Sequence, residues 1–152
     1  MSNQEWVCYL IKSTDSNKTY VGATNNLERR LNDHCGLNGL SKGAKATKGE
    51  MWYVLLFISG FKTKQECLSF EYQFKRMRNK KYDLSKFELN NISSIDKRIN
   101  DLYKLFLQNK AYHKWNKEYL IINLSEDIIA DDKLQKDLDI ICKKIWQIYL
   151  II

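Results

Sequence analysis

Four side chains in this sequence could share one reaction: the phenols of Tyr9 and Tyr20, the guanidinium of Arg30 and the carboxylate of Glu71. A phenol can orient a water or move its proton, a guanidinium can grip phosphoryl oxygens through its forked donors, and a half-buried carboxylate can hold a hard cation. Breaking a phosphodiester needs those services: an activated water, a cation over the phosphoryl oxygens, and usually a metal that assists attack or departure. Each residue also has an ordinary reading. An isolated tyrosine is commonly a packed aromatic, a helical arginine is commonly solvated, and a carboxylate beside an apolar face is commonly half of a structural ion pair.

The apolar pattern predicts the elements that would carry them. Residues 6–12 and 18–23 are short apolar runs joined by Ser13-Thr14-Asp15-Ser16-Asn17, a cluster of turn formers, which predicts a β-hairpin. Side chains alternate across a strand, so Tyr9 and Tyr20 can face the same side. Asn25 or Asn26 caps a helix on which Leu27, Leu31 and Cys35 recur at spacing four, and Gly36 and Gly39 end it. Arg30 lies one turn into this helix, with His34 four residues on along the same face and Arg29 about 100° away. Residues 36–50 hold glycine and lysine without hydrophobic periodicity and predict a mobile surface loop, whose Lys42, Lys45 and Lys48 suit backbone phosphates. Trp52–Ser59 reads as a third strand. Residues 64–79 read as a helix with Cys67, Leu68, Phe70, Phe74 and Met77 buried and Glu71 on or beside that buried side.

The stretch Val7-Cys8-Tyr9, then Thr19-Tyr20-Val21-Gly22, then the run from Asn25 to His34, resembles the catalytic module of the GIY-YIG endonuclease family, over roughly residues 6 to 80. Gly43-Ala44-Lys45-Ala46-Thr47-Lys48-Gly49 ahead of Trp52-Tyr53-Val54-Leu55-Leu56, with Gly60-Phe61 after it, is most similar to the Slx1 branch of structure-selective nucleases. The resemblance implies an α/β fold in which a small three-stranded antiparallel sheet is flanked by helices. It implies Tyr9 as general base or water-orienting group and Tyr20 as hydrogen-bond partner of water or phosphate. Arg30 is selected over Arg29 because the family's arginine precedes a hydrophobic residue and stands four before a histidine. A phenol is a poor base at neutral pH unless neighbouring cations lower its pKa, and Lys45, Arg30 or His34 could supply that field. His34 could instead orient Tyr20 or contact phosphate. Gly22 would let the backbone turn or approach DNA closely, and Glu71 would ligate Mg²⁺ or Mn²⁺.

Two departures stand out. The first signature keeps its tyrosine but reads Val-Cys-Tyr rather than Gly-Ile-Tyr, and beyond residue 80 the only cysteine and histidine are Cys142 and His113, so no cysteine-rich zinc domain of the Slx1 kind is expected there.

Charge divides the 152 residues unevenly. Residues 1 to 80 carry 13 Lys+Arg against 7 Asp+Glu, and residues 81 to 152 carry 12 against 11, so most of the net +7 belongs to the half that holds the motif. That half suits a phosphate backbone. Four scattered cysteines without a C-x-x-C pair predict reduced packing residues. No apolar run reaches 18 residues and the first five are polar, so neither a membrane span nor a signal peptide is expected. An intracellular protein follows, with nucleus, cytoplasm or viral factory left open. The absence of proline and the wealth of lysine and asparagine suit an AT-biased viral or other mobile genome.

Residues 1–81 thus read as the catalytic module and 82–152 as a mostly helical extension. Ile95, Ile99, Leu102 and Phe106 mark one amphipathic helix, residues 119–124 a short strand or connector, and Leu138, Ile141, Ile145, Ile148 and Ile152 a helix seam. The seam could pack on the module, dock a protein partner or pair with a second copy. The leading expectation is a metal-dependent endonuclease that recognises branched or flapped DNA by shape, in repair, recombination or replication. Its rivals are a homing or restriction-type nuclease with sequence preference, and a catalytically silent DNA-binding or scaffold protein.

Overall fold

The apolar run Val7–Ser13 forms strand β1, buried along nearly its whole length because it has a neighbour on each edge and cover on each face. The computed structural model describes residues 5–39, 42–77, 94–107, 113–116 and 119–125. Within them β1 is followed by β2 (Thr19–Thr24), α1 (Leu27–His34), a single 3₁₀ turn (Lys45–Thr47), β3 (Trp52–Ser59), α2 (Lys64–Arg76), α3 (Ser94–Leu107) and β4 (Ile121–Leu124). The strands make one antiparallel sheet in the order β2-β1-β3-β4.

The sheet has four strands, not the three expected. β4 comes from the half read as mostly helical and pairs with β3 from Leu56↔Leu124 to Ser59↔Ile121. Four residues are too few for periodicity to separate a strand from an apolar connector. The free edge of β3 decides it. A β-bulge also lies in β3: Leu10 pairs with Leu56 but Ile11 with Val54, so Leu55 is the extra residue and both Leu55 and Leu56 are buried in the same core.

Helix ends follow their local chemistry. The Asn26 side chain accepts from the Arg29 N–H at 3.1 Å to start α1. Beyond its last turn Gly36 takes a φ of 78°, with the N–H of Gly36 on the Asp33 carbonyl and that of Leu37 on the Asn32 carbonyl. Thr63 and Glu66 form a reciprocal capping box at the start of α2, through contacts of 3.1 and 2.9 Å.

Alternation along β1 sends side chains to two cores. Tyr9 and Ile11 pack with Trp52 under α1, against Leu27, Leu31 and Cys35. Cys8 and Leu10 face the other way, into a larger core with Cys67, Phe70 and Phe74 of α2 and Ile95, Ile99, Leu102 and Phe106 of α3. Phe70 sits centrally there, with ring centroids of Phe61, Phe106 and Trp115 at 5.4, 5.7 and 5.0 Å. Leu68, expected inside, is 38% exposed. It follows Cys67 by one residue, about 100° around the helix and off the buried stripe. The C-terminal seam from Leu138 to Ile152 lies outside the described residues. None of the described helices is long and apolar enough to cross a membrane.

Candidate active site

The register of the hairpin sets the first part of the site. Tyr9 pairs with Gly22 and Ile11 with Tyr20, so both phenols stand on the α1 side, ring centroids 6.5 Å apart. The Tyr9 ring lies over Gly22, where an added Cβ would come 2.2 Å from Oη and 2.4 Å from Cζ. Gly22 is mid-strand and takes no left-handed φ. Its reason here is therefore the space that Tyr9 occupies, not the backbone turn expected from the sequence. Gly22→Ala must push the phenol aside, and a loss of about 1–3 kcal/mol is expected in denaturant unfolding. Wild-type stability in that variant would contradict the packing described.

His34 is the next group. Only 2% exposed, it makes a buried hydrogen bond between Nε2 and Tyr9 Oη at 2.7 Å, while Nδ1 lies 2.9 Å from Thr47 Oγ1. The Tyr20 ring is 4.9 Å from the imidazole. Its hydrogen-bond partner is Tyr9 rather than Tyr20, and both of its ring nitrogens are engaged within the protein. Burial, helped by the Arg30 guanidinium, lowers the His34 pKa from 6.5 to about 4. Burial also pushes the Tyr9 phenol above its ordinary value, outweighing Arg30 beside it, which acts in the opposite direction. The expectation that nearby cations lower Tyr9 is thus reversed in the free protein.

These shifts carry a stability consequence. Between about pH 6.5 and about pH 4 the unfolded chain takes up a proton at His34 that the folded protein refuses. Stability therefore falls as pH drops through that window, with at most about 3 kcal/mol from this group. Chemical unfolding of wild type and His34→Gln across those pH values should show a flatter dependence in the variant. Identical curves would contradict the shift.

Thr47 was not singled out by sequence reasoning, and the segment holding it is not the loose loop expected. Thr47 is fully buried, its carbonyl accepts from Trp52 Nε1 at 3.0 Å, and its hydroxyl lies 2.9 Å from the Ala44 carbonyl. Gly43 is pressed against α1, where an added Cβ would meet the Asp33 carbonyl at 2.7 Å. Polar anchors of this kind leave no hydrophobic period to read. The available signal was the stretch from Gly43 to Gly49, in which Thr47 stands between Ala46 and Lys48.

Arg30 lies beside Tyr9 and is partly exposed. Its guanidinium donates to the Lys42 carbonyl at 2.9 Å and sits 3.6 Å from Asp33, with 30% of the side chain exposed. Lys42, Lys45 and Lys48 are exposed on the strap that crosses α1. Of the three, Lys42 meets Arg30 through its backbone carbonyl.

Glu71 arrives from the opposite face, on α2, beside the edge strand β2. Its carboxylate pairs with Lys75 Nζ at 2.9 Å, and that ammonium lies 4.9 Å from the centre of the Tyr20 ring. Burial opposes the Lys75 charge, but the Glu71 carboxylate and the Tyr20 hydroxyl together raise its pKa. Lys75 thus joins Glu71 to the tyrosines. Sequence reasoning passed over it, although its spacing of four from Glu71 was the available signal. Among the described residues no three His, Cys, Asp or Glu side chains gather as a metal cage. One carboxylate still fits a hard cation that keeps most of its waters and takes further oxygens from a substrate phosphate.

A small α/β catalytic domain accounts for both the sheet and the groups it gathers. The chain belongs to the GIY-YIG family: residues 5–83 match the GIY-YIG catalytic domain. It is 51% identical over 112 residues to Uncharacterized protein L300 of Acanthamoeba polyphaga mimivirus, covering 74% of this chain and 61% of that protein. It is 33% identical over 122 residues to Structure-specific endonuclease subunit slx1 of Aspergillus terreus, covering 72% of this chain and 30% of that one. UPF0213 protein YazA of Bacillus subtilis is 40% identical over 76 residues, 50% of this chain and 72% of its own length. The chain therefore spans less than two thirds of the mimivirus and Aspergillus relatives.

Proposed function

We propose that this protein is a divalent-metal-dependent DNA endonuclease that cuts branched or flapped duplexes during repair, recombination or replication. The observation that carries the reading is the buried Tyr9–His34 hydrogen bond of 2.7 Å beside Arg30. A phenol with a raised pKa is no base by itself. Coupled to a neutral imidazole, it can take a proton from an attacking water while giving its own to His34. Arg30, partly exposed, is poised to exchange its Asp33 and Lys42 contacts for a phosphoryl oxygen. Tyr20, with the Lys75 ammonium at its face, lies beside the His34 ring and can donate to the phosphate. Glu71 would hold Mg²⁺ or Mn²⁺ once Lys75 turns from it, and the bound ion would neutralise charge on the phosphodiester.

Selection by shape is supported by the surface chemistry and by a relative. Lys42, Lys45 and Lys48 are positioned for backbone phosphates and carry no base-reading pattern. The Aspergillus relative is named a structure-specific endonuclease subunit. The Glu71–Lys75 pair favours a second reading, a DNA-binding protein in which that carboxylate is structural. End-labelled linear, flap, fork and four-way DNA incubated with the protein and Mg²⁺ separates the two. Cutting of the branched substrates ahead of the linear one is expected. Retention of branched DNA without cutting by any ion would support the second reading.

A further inference from the structure

We propose that Thr47 is a positioning residue that fixes His34 in the Nδ1–H tautomer, so that Nε2 is the nitrogen offered to the Tyr9 hydroxyl. The assignment rests on proton counting along four groups. A threonine hydroxyl has one proton to donate. Thr47 Oγ1 lies 2.9 Å from the Ala44 carbonyl, which can only accept, and 2.9 Å from His34 Nδ1. If the hydroxyl donated to Nδ1, the Thr47 and Ala44 oxygens would face each other across 2.9 Å with no proton between them. The hydroxyl therefore donates to Ala44 and accepts from Nδ1–H. A neutral imidazole with its proton on Nδ1 has a bare Nε2, and the contact to Tyr9 Oη at 2.7 Å then runs from phenol to imidazole.

The chain of donors is thereby one-directional. Tyr9 donates to His34, His34 to Thr47, and Thr47 to a carbonyl that stays put because it closes the 3₁₀ turn at Ala44. The turn is anchored in its turn by Trp52 Nε1 on the Thr47 carbonyl. In the other tautomer, His34 would donate to Tyr9, and the phenol would have no acceptor for its proton as it takes one from water. Thr47 touches neither substrate nor the reacting atoms, so its effect is carried through His34.

This inference deepens the nuclease reading and depends on it for its catalytic half, whereas the tautomer can be read without any substrate. The chain has two histidines, His34 and His113. Long-range ¹H–¹⁵N correlation on uniformly ¹⁵N-labelled protein distinguishes a protonated ring nitrogen from a bare one. Wild type is expected to show His34 with Nδ1 protonated and Nε2 bare. Thr47→Val keeps the side-chain shape and removes the acceptor, and should lose the pure Nδ1–H pattern while kcat on a flap substrate falls about 10- to 100-fold with KM unchanged. Thr47→Ser should restore both. Nε2–H in wild type would overturn the proposal whether or not Thr47→Val folds. So would a normal kcat in Thr47→Val, or a fall in kcat with the wild-type tautomer retained. Wild type that cuts nothing would overturn the nuclease reading and the catalytic half with it, while the spectra would still uphold or overturn the tautomer.

Discussion

Tyr9→Phe is expected to lower the single-turnover cleavage rate by about 10²–10⁴-fold, the range that a positioned proton-transfer group supplies. The substitution removes one oxygen and leaves the ring in the niche that Gly22 keeps open. The fold should survive. Loss of Oη leaves His34 Nε2 without its partner, a cost of about 1–3 kcal/mol in unfolding. A purely structural tyrosine would show that stability loss and keep its rate, so the rate decides. DNA affinity should stay near wild type, because Arg30 and the exposed Lys42, Lys45 and Lys48 are untouched. Gel retention and single-turnover kinetics on one flap substrate check both halves of the expectation.

Glu71→Gln is the second large effect. The carboxylate is matched to a cation, and at present that cation is Lys75 at 2.9 Å. If the pair is only an i,i+4 helix contact, its loss removes about 0.3–0.5 kcal/mol of stability and nothing else. If Glu71 holds the metal, several kcal/mol of charge stabilisation in the transition state disappear, a fall of about 10²–10³-fold in rate. The two magnitudes are far enough apart for one comparison to separate them. Binding of DNA should be kept or strengthened, since a negative charge leaves and the Lys75 ammonium is released. Titration with Mg²⁺ should fail to restore the variant's rate. Full activity in Glu71→Gln would remove the metal role.

The sequence showed the site in parts. Tyr9 and Tyr20 could be placed on one face because strand alternation is a strict rule, and the observed pairing of Tyr9 with Gly22 and Ile11 with Tyr20 follows it. The cap of α1 at Asn26 and its end at Gly36 were legible because capping is local chemistry. What local rules could not give was anything set by contact across the fold. β4 is a strand because the edge of β3 was free. Thr47 is buried because three polar partners hold it, and no hydrophobic period announces that. The raised pKa of Tyr9 depends on how completely its ring is covered, where the sequence showed only the neighbouring cations. Lys75 was readable as a helix partner of Glu71, but its place over the Tyr20 ring required the arrangement of α2 beside β2.

Tyr9 and His34 acting as one proton-transferring unit is the central claim, and a double-substitution cycle tests it most directly. Single-turnover cleavage of one flap substrate would be measured for wild type, Tyr9→Phe, His34→Gln and the double variant, with matched DNA saturation. Residues that act as a unit lose their combined effect once either is gone. The double variant is therefore predicted to be no slower than the slower single one. Losses that multiply, leaving the double variant slower by the product of the two single effects, would contradict the account.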